Sequence, residues 1–202
     1  HNGDSMENKY FTNINIKNHL EKEMGSSLDK MLNEYYQHLN EGDQLIARSS
    51  IADMNQIVVS TPDKPIIGTR ALDTCFGILF YDRKNKFGIC GHADPYNTFG
   101  IIVEMLKQIP ESTEGIIEYA IVPGYRAMKQ QNFEREDEID SILRTYISIN
   151  PKIHFTSLVS SLSPSMPEGL FCYDFAFDTS SGKDVTDLVF RNLTEEQNKM
   201  HI

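Results

Sequence analysis

Cys75, His92 and Thr69 are the residues whose types and spacing suit nucleophilic chemistry, in the order T-x5-C-x16-H. A thiol has an ordinary pKa of about 8.5, so little of it is thiolate at neutral pH. An adjacent imidazole can take its proton and hold the resulting ion pair. A threonine hydroxyl can then orient the ring through its far nitrogen, more weakly than a carboxylate would. The residues by themselves support acyl transfer through a thiol. The plain alternative for Cys75 is a small buried core residue, since free cysteine is among the most buried residue types.

Two apolar runs, Phe76 to Tyr81 and Phe87 to Cys90, flank the polar Asp82-Arg-Lys-Asn85. This pattern predicts two strands joined by a tight turn. Cys75 opens the first strand and His92 closes the second, so a hairpin brings the two together. Gly91 and Ala93 are small neighbours that leave room for a ligand beside His92. Cys90 lies two residues before His92, which puts both side chains on one face of a regular strand. Cys75, Cys90 and His92, completed by Asp94 or Cys172, would make a zinc set. No C-x-x-C pair accompanies them, so the reading is no metal, with Cys90 in a dry core position.

The match extends beyond the trio. Ile51-Ala-Asp-Met54 with Val58-Val-Ser60, Leu79-Phe-Tyr-Asp82, Gly88, Val122-Pro-Gly-Tyr-Arg-Ala-Met128 and Phe177-Asp-Thr-Ser-Ser-Gly-Lys183 follow in order. This series, across residues 51 to 190, resembles the chemoreceptor glutamine deamidase family, CheD. The resemblance implies a β-sandwich-like core flanked by helices, with Cys75 as nucleophile, His92 as base and Thr69 orienting it. It also implies a glutamine-bearing protein substrate and no cofactor. Asp73 and Thr74 stand where that family has Gly-Ser. An aspartate there is expected to disfavour a nearby thiolate and to crowd the substrate pocket, which Asp73, Thr74, Gly91 and Cys90 would line. The stretch after His92 and the glycine-rich segment before the last hairpin are also shortened, which leaves substrate identity open.

Three functions therefore compete. The first is a protein-glutamine deamidase in chemotaxis. The second is an effector deamidase or transglutaminase acting on a host protein, similar to the cytotoxic necrotizing factors. The third is an inactive relative that docks a signalling partner, as CheD relatives do with a CheC-type phosphatase.

Composition bounds these. The chain has 202 residues, 40% hydrophobic and 24% charged, enough for one well-filled core with extensions. A formal charge of −10 argues against nucleic acid as the main partner. No apolar run reaches bilayer-spanning length and no secretory signal is visible, so the expectation is a cytoplasmic protein, or one exported without such a signal. Three cysteines without disulfide-like spacing read as free thiols in a reducing compartment. His1 to Ser5 read as an expression remnant before Met6.

Along the chain, residues 1–50 read as a polar extension, 51–192 as the deamidase-like domain and 193–202 as a tail. Residues 7 to 25 are expected to be loosely held. A helix is predicted from Ser26 or Ser27, as cap, to about Asn40, with Gly42 just past its end. Its apolar face would hold Leu28, Met31, Leu32, Tyr35, Tyr36 and Leu39. Strands are predicted over 56–60, 66–72, 115–122 and 153–159. A helix over 98–109 would turn Phe99, Ile102, Val103, Leu106 and Ile109 inward. Another over 134–149 would turn in Ile139, Ile142, Leu143, Tyr146 and Ile147. Leu170 to Phe177 and Val185 to Phe190 are predicted as a closing hairpin. The fold class is α/β of the α+β kind.

Overall fold

The computed structural model of the chain describes residues 27–39, 41–129 and 133–191. It is a mixed α/β protein that divides into two compact units, His1–Arg48 and Ser49–Ile202. The readings for residues 7–25, for the tail from Thr194, for the Ser26 or Ser27 cap and for the side chains of Leu28, Leu32 and Tyr36 lie outside the described residues.

The first unit holds two described helices, α1 (Ser27–His38) and α2 (Glu41–Ala47), where one was expected. Gly42 starts the second helix rather than ending the first. Glu41 and Asp43 beside it place negative charge at the positive end of the helix dipole. Met31, expected on an inward face, is exposed.

The second unit contains strands β1 (Ser49–Ala52), β2 (Ile57–Val59), β3 (Ile66–Leu72), β4 (Phe76–Asp82) and β5 (Phe87–Ala93). Helix α3 (Thr98–Lys107), β6 (Gly115–Pro123), the short α4 (Tyr125–Lys129) and α5 (Phe133–Ile149) follow. Then come β7 (Ile153–Ser157), β8 (Tyr173–Asp178), β9 (Lys183–Asp184) and a helical turn, α6, over residues 186–191. One sheet runs β1-β3-β8-β9 and the other β2-β5-β4-β6-β7.

The apolar run of β4 explains the layering. Leu79 and Tyr81 meet Ile67, Leu72, Phe175 and Phe177 of the four-stranded sheet. Ile78 and Phe80, on the opposite face, join Ile101, Ile102 and Met105 of α3 and Ile139 and Leu143 of α5. A strand covered on both faces needs no polar alternation. The two sheets thus pack face to face, with helices on the outer face of the five-stranded one.

The strand expected over 56–60 is β2, and β1 before it belongs to the other sheet, because the chain turns at Asn55 (φ 60°), a residue type that tolerates the left-handed region. Two details differ from the sequence reading. Helix α3 is rotated: Phe99 is exposed, while Ile101 and Met105 are buried. Val185 to Phe190 is not a strand. Val185 N–H still bonds the Ala176 carbonyl, but the Thr186 hydroxyl then accepts from Ala176 N–H (3.0 Å), and a helix begins.

Candidate active site

Strands β3 and β5 and the residue just before β4 position Thr69, His92 and Cys75. Gly77 lies directly across from His92, and Leu79 across from Cys90. Cys90 and His92 therefore share the face of the hairpin that looks toward β3, where Thr69 lies. Cys75, in the bend just before β4, packs in the same core cluster as Cys90, on that side of the sheet. Gly77 lets Phe175 pack close on this face: a Cβ there would sit 2.5 Å from its ring.

Thr69 and His92 are both buried. Thr69 Oγ1 lies 2.6 Å from the Ala52 carbonyl and 2.7 Å from His92 Nδ1. A hydroxyl has one proton, and a carbonyl can only accept, so Thr69 donates to Ala52. Its lone pair then accepts from His92, which puts the imidazole proton on Nδ1. Nε2 is left as a base. The backbone of His92 is held as well, with its N–H on the Gln56 carbonyl (3.1 Å) and its carbonyl receiving Asn55 N–H (2.7 Å). Burial lowers the His92 pKa below its ordinary value and prevails over the opposing fields of Asp53 and Asp94. The ring is a neutral base at neutral pH.

Cys75 is 6% exposed, against 0% for Cys90. Burial raises the Cys75 pKa, while a hydrogen bond from the Thr74 hydroxyl pulls the other way. Burial thus works against the charged form of both groups.

The loop that carries Cys75 is clasped by the segment after β6. Gly124 N–H donates to the Cys75 carbonyl (2.8 Å), and Ala127 N–H to the Asp73 carbonyl (3.0 Å). A Cβ on Gly124 would lie 2.4–2.6 Å from Asp73 backbone atoms, so only glycine allows this approach. The Asp73 carboxylate does not stand free against the thiol. It takes Arg126 Nε at 2.9 Å and Arg126 Nη2 at 2.6 Å, which lowers its pKa, and Arg126 N–H at 3.3 Å. Its field still raises the Cys75 pKa, as the smallest of the contributions.

Two pocket assignments change. The space beside Gly91 is filled by Met105 Sδ and Ile101 Cγ2, at 2.7 and 2.8 Å from where a Cβ would stand, so this glycine seats α3 against the sheet. Cys90 lies in the core between the sheets, where burial drives its pKa far up. Among the described residues no three His, Cys, Asp or Glu side chains gather as metal ligands.

One residue escaped the sequence reading. Asp174, a buried carboxylate on β8, accepts Ala71 N–H at 2.8 Å. Ala71 has φ 59°, and the β3–β8 register shifts between Thr69 and Leu72. Asp174 thus pins the bulge that leads the chain from Thr69 to Cys75. A lone acid inside the apolar run Tyr173 to Phe177 was the available signal.

Compared with protein-family models and with curated proteins, the chain matches none.

Proposed function

We propose that the chain is a cysteine amidohydrolase that deamidates glutamine side chains of a protein substrate, a CheD-like reaction on a CheD-like core. The observation that carries this reading is the directed chain Ala52–Thr69–His92, which leaves Nε2 of a neutral imidazole as base on the face that Cys75 shares.

The steps follow from these groups. As Cys75 Sγ bonds to the carboxamide carbon, His92 Nε2 takes the thiol proton. The oxyanion needs a backbone N–H donor, a role this reading gives to Cys75 N–H. The imidazolium then protonates the nitrogen, the C–N bond breaks and ammonia leaves a thioester. Water gives a proton to His92 and adds to the thioester. The thiol leaves with that proton, and glutamate remains. An amine in place of water would give transglutamination. Because thiol and imidazole are both neutral at rest, proton transfer accompanies attack rather than preceding it.

The buried, raised-pKa thiol favours one other reading, a binding module of the same fold that has lost turnover. One assay separates the two. Candidate proteins are incubated with wild type, Cys75→Ala and His92→Ala, and mass spectrometry seeks the gain of about one dalton that accompanies amide hydrolysis. Ammonia release lost in both variants supports the enzyme. Partner capture that is equal in wild type and Cys75→Ala, with no mass change, supports the binder and sinks the deamidase.

A further inference from the structure

Strand β6 is longer than its outer neighbour. It pairs with β7 only from Gly115 to Tyr119, and the last bond on that side runs from Leu158 N–H to the Tyr119 carbonyl (2.8 Å). Gly115 N–H also points that way, to the Lys152 carbonyl. With the period of two along a strand, odd-numbered residues of β6 turn their backbone groups outward. Ile121 therefore aims its N–H and carbonyl, and Pro123 its carbonyl, past the end of β7. Among the described residues no strand continues the ladder there.

What lies beside this edge is a groove of about 430 Å³, between Ile121 to Pro123 on one side and Leu158, Leu162 and Pro164 on the other. Its far end meets the nucleophile loop. Pro123 is paired with Phe76, and Gly124 holds the Cys75 carbonyl. A half-buried strand edge with unused donors and acceptors takes up an extended peptide, whose backbone completes the ladder.

We propose that an extended segment of the protein substrate adds to β6 at Ile121–Pro123 as a short strand and so delivers its glutamine to Cys75. This rests on the deamidase reading and names the substrate's conformation: an unfolded or loop segment, not a helix. The proline at position 123 ends the docking edge next to the nucleophile and limits pairing to the residues that flank the glutamine.

The test uses peptides of about ten residues with one central glutamine between alternating valine and threonine, long enough to span a strand-addition site. Binding to full-length Cys75→Ala is read by fluorescence anisotropy for peptides N-methylated at each amide in turn. Strand docking predicts that methylation of alternate amides weakens binding about tenfold or more, the scale of a lost buried hydrogen bond, while intervening positions tolerate it. In turnover, Ile121→Pro raises the peptide's KM relative to that of N-acetylglutamine methylamide, and Ile121→Val does not. Binding that tolerates methylation equally everywhere, or a helical bound peptide, overturns the proposal. Alternate-amide sensitivity with no ammonia released from any substrate keeps the docking edge and sinks the deamidase reading instead.

Discussion

Thr69 Oγ1 and His92 Nδ1 lie 2.7 Å apart, with the threonine proton already committed to the Ala52 carbonyl. A hydroxyl so placed accepts from the imidazole and cannot donate to it. The backbone carbonyl of one strand thus decides, through one side chain, which ring nitrogen of another strand stays basic. No carboxylate bonds the ring directly, and Asp53 and Asp94 act on it only through their fields, so an imidazolium here is less stabilised than one backed by a carboxylate.

Replacing Thr69 by valine keeps the shape and removes the acceptor. The buried Nδ1–H and the Ala52 carbonyl are then unpaired, which costs about 1–3 kcal/mol of stability for each buried group left unsatisfied. Ammonia release is expected to fall on the order of tenfold to a hundredfold as the tautomer is lost, while Thr69→Ser retains most of it. Urea unfolding and ¹⁵N shifts of the His92 ring check both parts. A ring that keeps its proton on Nδ1 in Thr69→Val removes Thr69 from the mechanism.

The pH dependence follows from two opposed shifts. The His92 pKa is depressed in the fold, so between that value and the ordinary imidazole range near 6.5 the unfolded chain binds more protons. The stability this group contributes is full above that range and is lost as pH falls through the folded value. Cys75 is raised, so its contribution is full below the ordinary thiol value of about 8.5 and is lost as pH climbs through the folded one. The acid limb of kcat/KM is accordingly expected below about pH 6.5, where the free ring gains its proton. Ammonia-release profiles and urea midpoints across pH measure these limbs. An acid limb centred above neutrality would report ionisation of the raised thiol and count against a neutral His92 as the base.

Local pattern carried much of this fold. The β4–β5 hairpin was legible because its apolar runs and the polar turn between them are contiguous, and the Asp82 carboxylate indeed closes that turn on Asn85 N–H (3.2 Å). The pairing of Thr69 with His92 was legible by spacing. The position of Arg126 against Asp73 was not, since the two are far apart in sequence and each reads as an ordinary surface charge. The role of Gly91 was misread for a similar reason: a missing Cβ leaves space, but only α3 shows that Met105 fills it. The helical turn at 186–191 was hidden because V-T-D-L-V-F is rich in strand formers, and a hydrogen bond from Ala176 N–H to the Thr186 hydroxyl ended the ladder.

Asp73 and Arg126 give a double-mutant cycle. Arg126→Ala frees a carboxylate beside the nucleophile, so the Cys75 thiol is expected to become less acidic and to react more slowly with iodoacetamide at neutral pH. Asp73→Asn removes that charge and is expected to speed the reaction. Both effects should be within about tenfold, as the pair is partly exposed and screened. The double variant should resemble Asp73→Asn, because Arg126 then has no charge to compensate. Rates measured across pH report the thiol directly. Equal slowing by Arg126→Ala with or without Asp73 would assign Arg126 to holding the loop's shape instead.

The glycine at 124 offers the sharpest structural test. A methyl group at this position would strike the rigid backbone of Asp73 at 2.4–2.6 Å, whereas one at Gly91 would meet the ends of Met105 and Ile101. Backbone cannot yield as a methionine can. Gly124→Ala is therefore expected to cost about 1–3 kcal/mol, the range of overpacking, and to displace Cys75 from His92. Gly91→Ala is expected to cost less and to leave the site's geometry alone, since α3 lies on the other face of β5. Urea unfolding ranks the two. Ammonia release, corrected for the folded fraction, should fall more for Gly124→Ala, because a misplacement of about 1 Å can cost a hundredfold in rate. Full activity in folded Gly124→Ala would show that the clasp on the nucleophile loop serves stability alone.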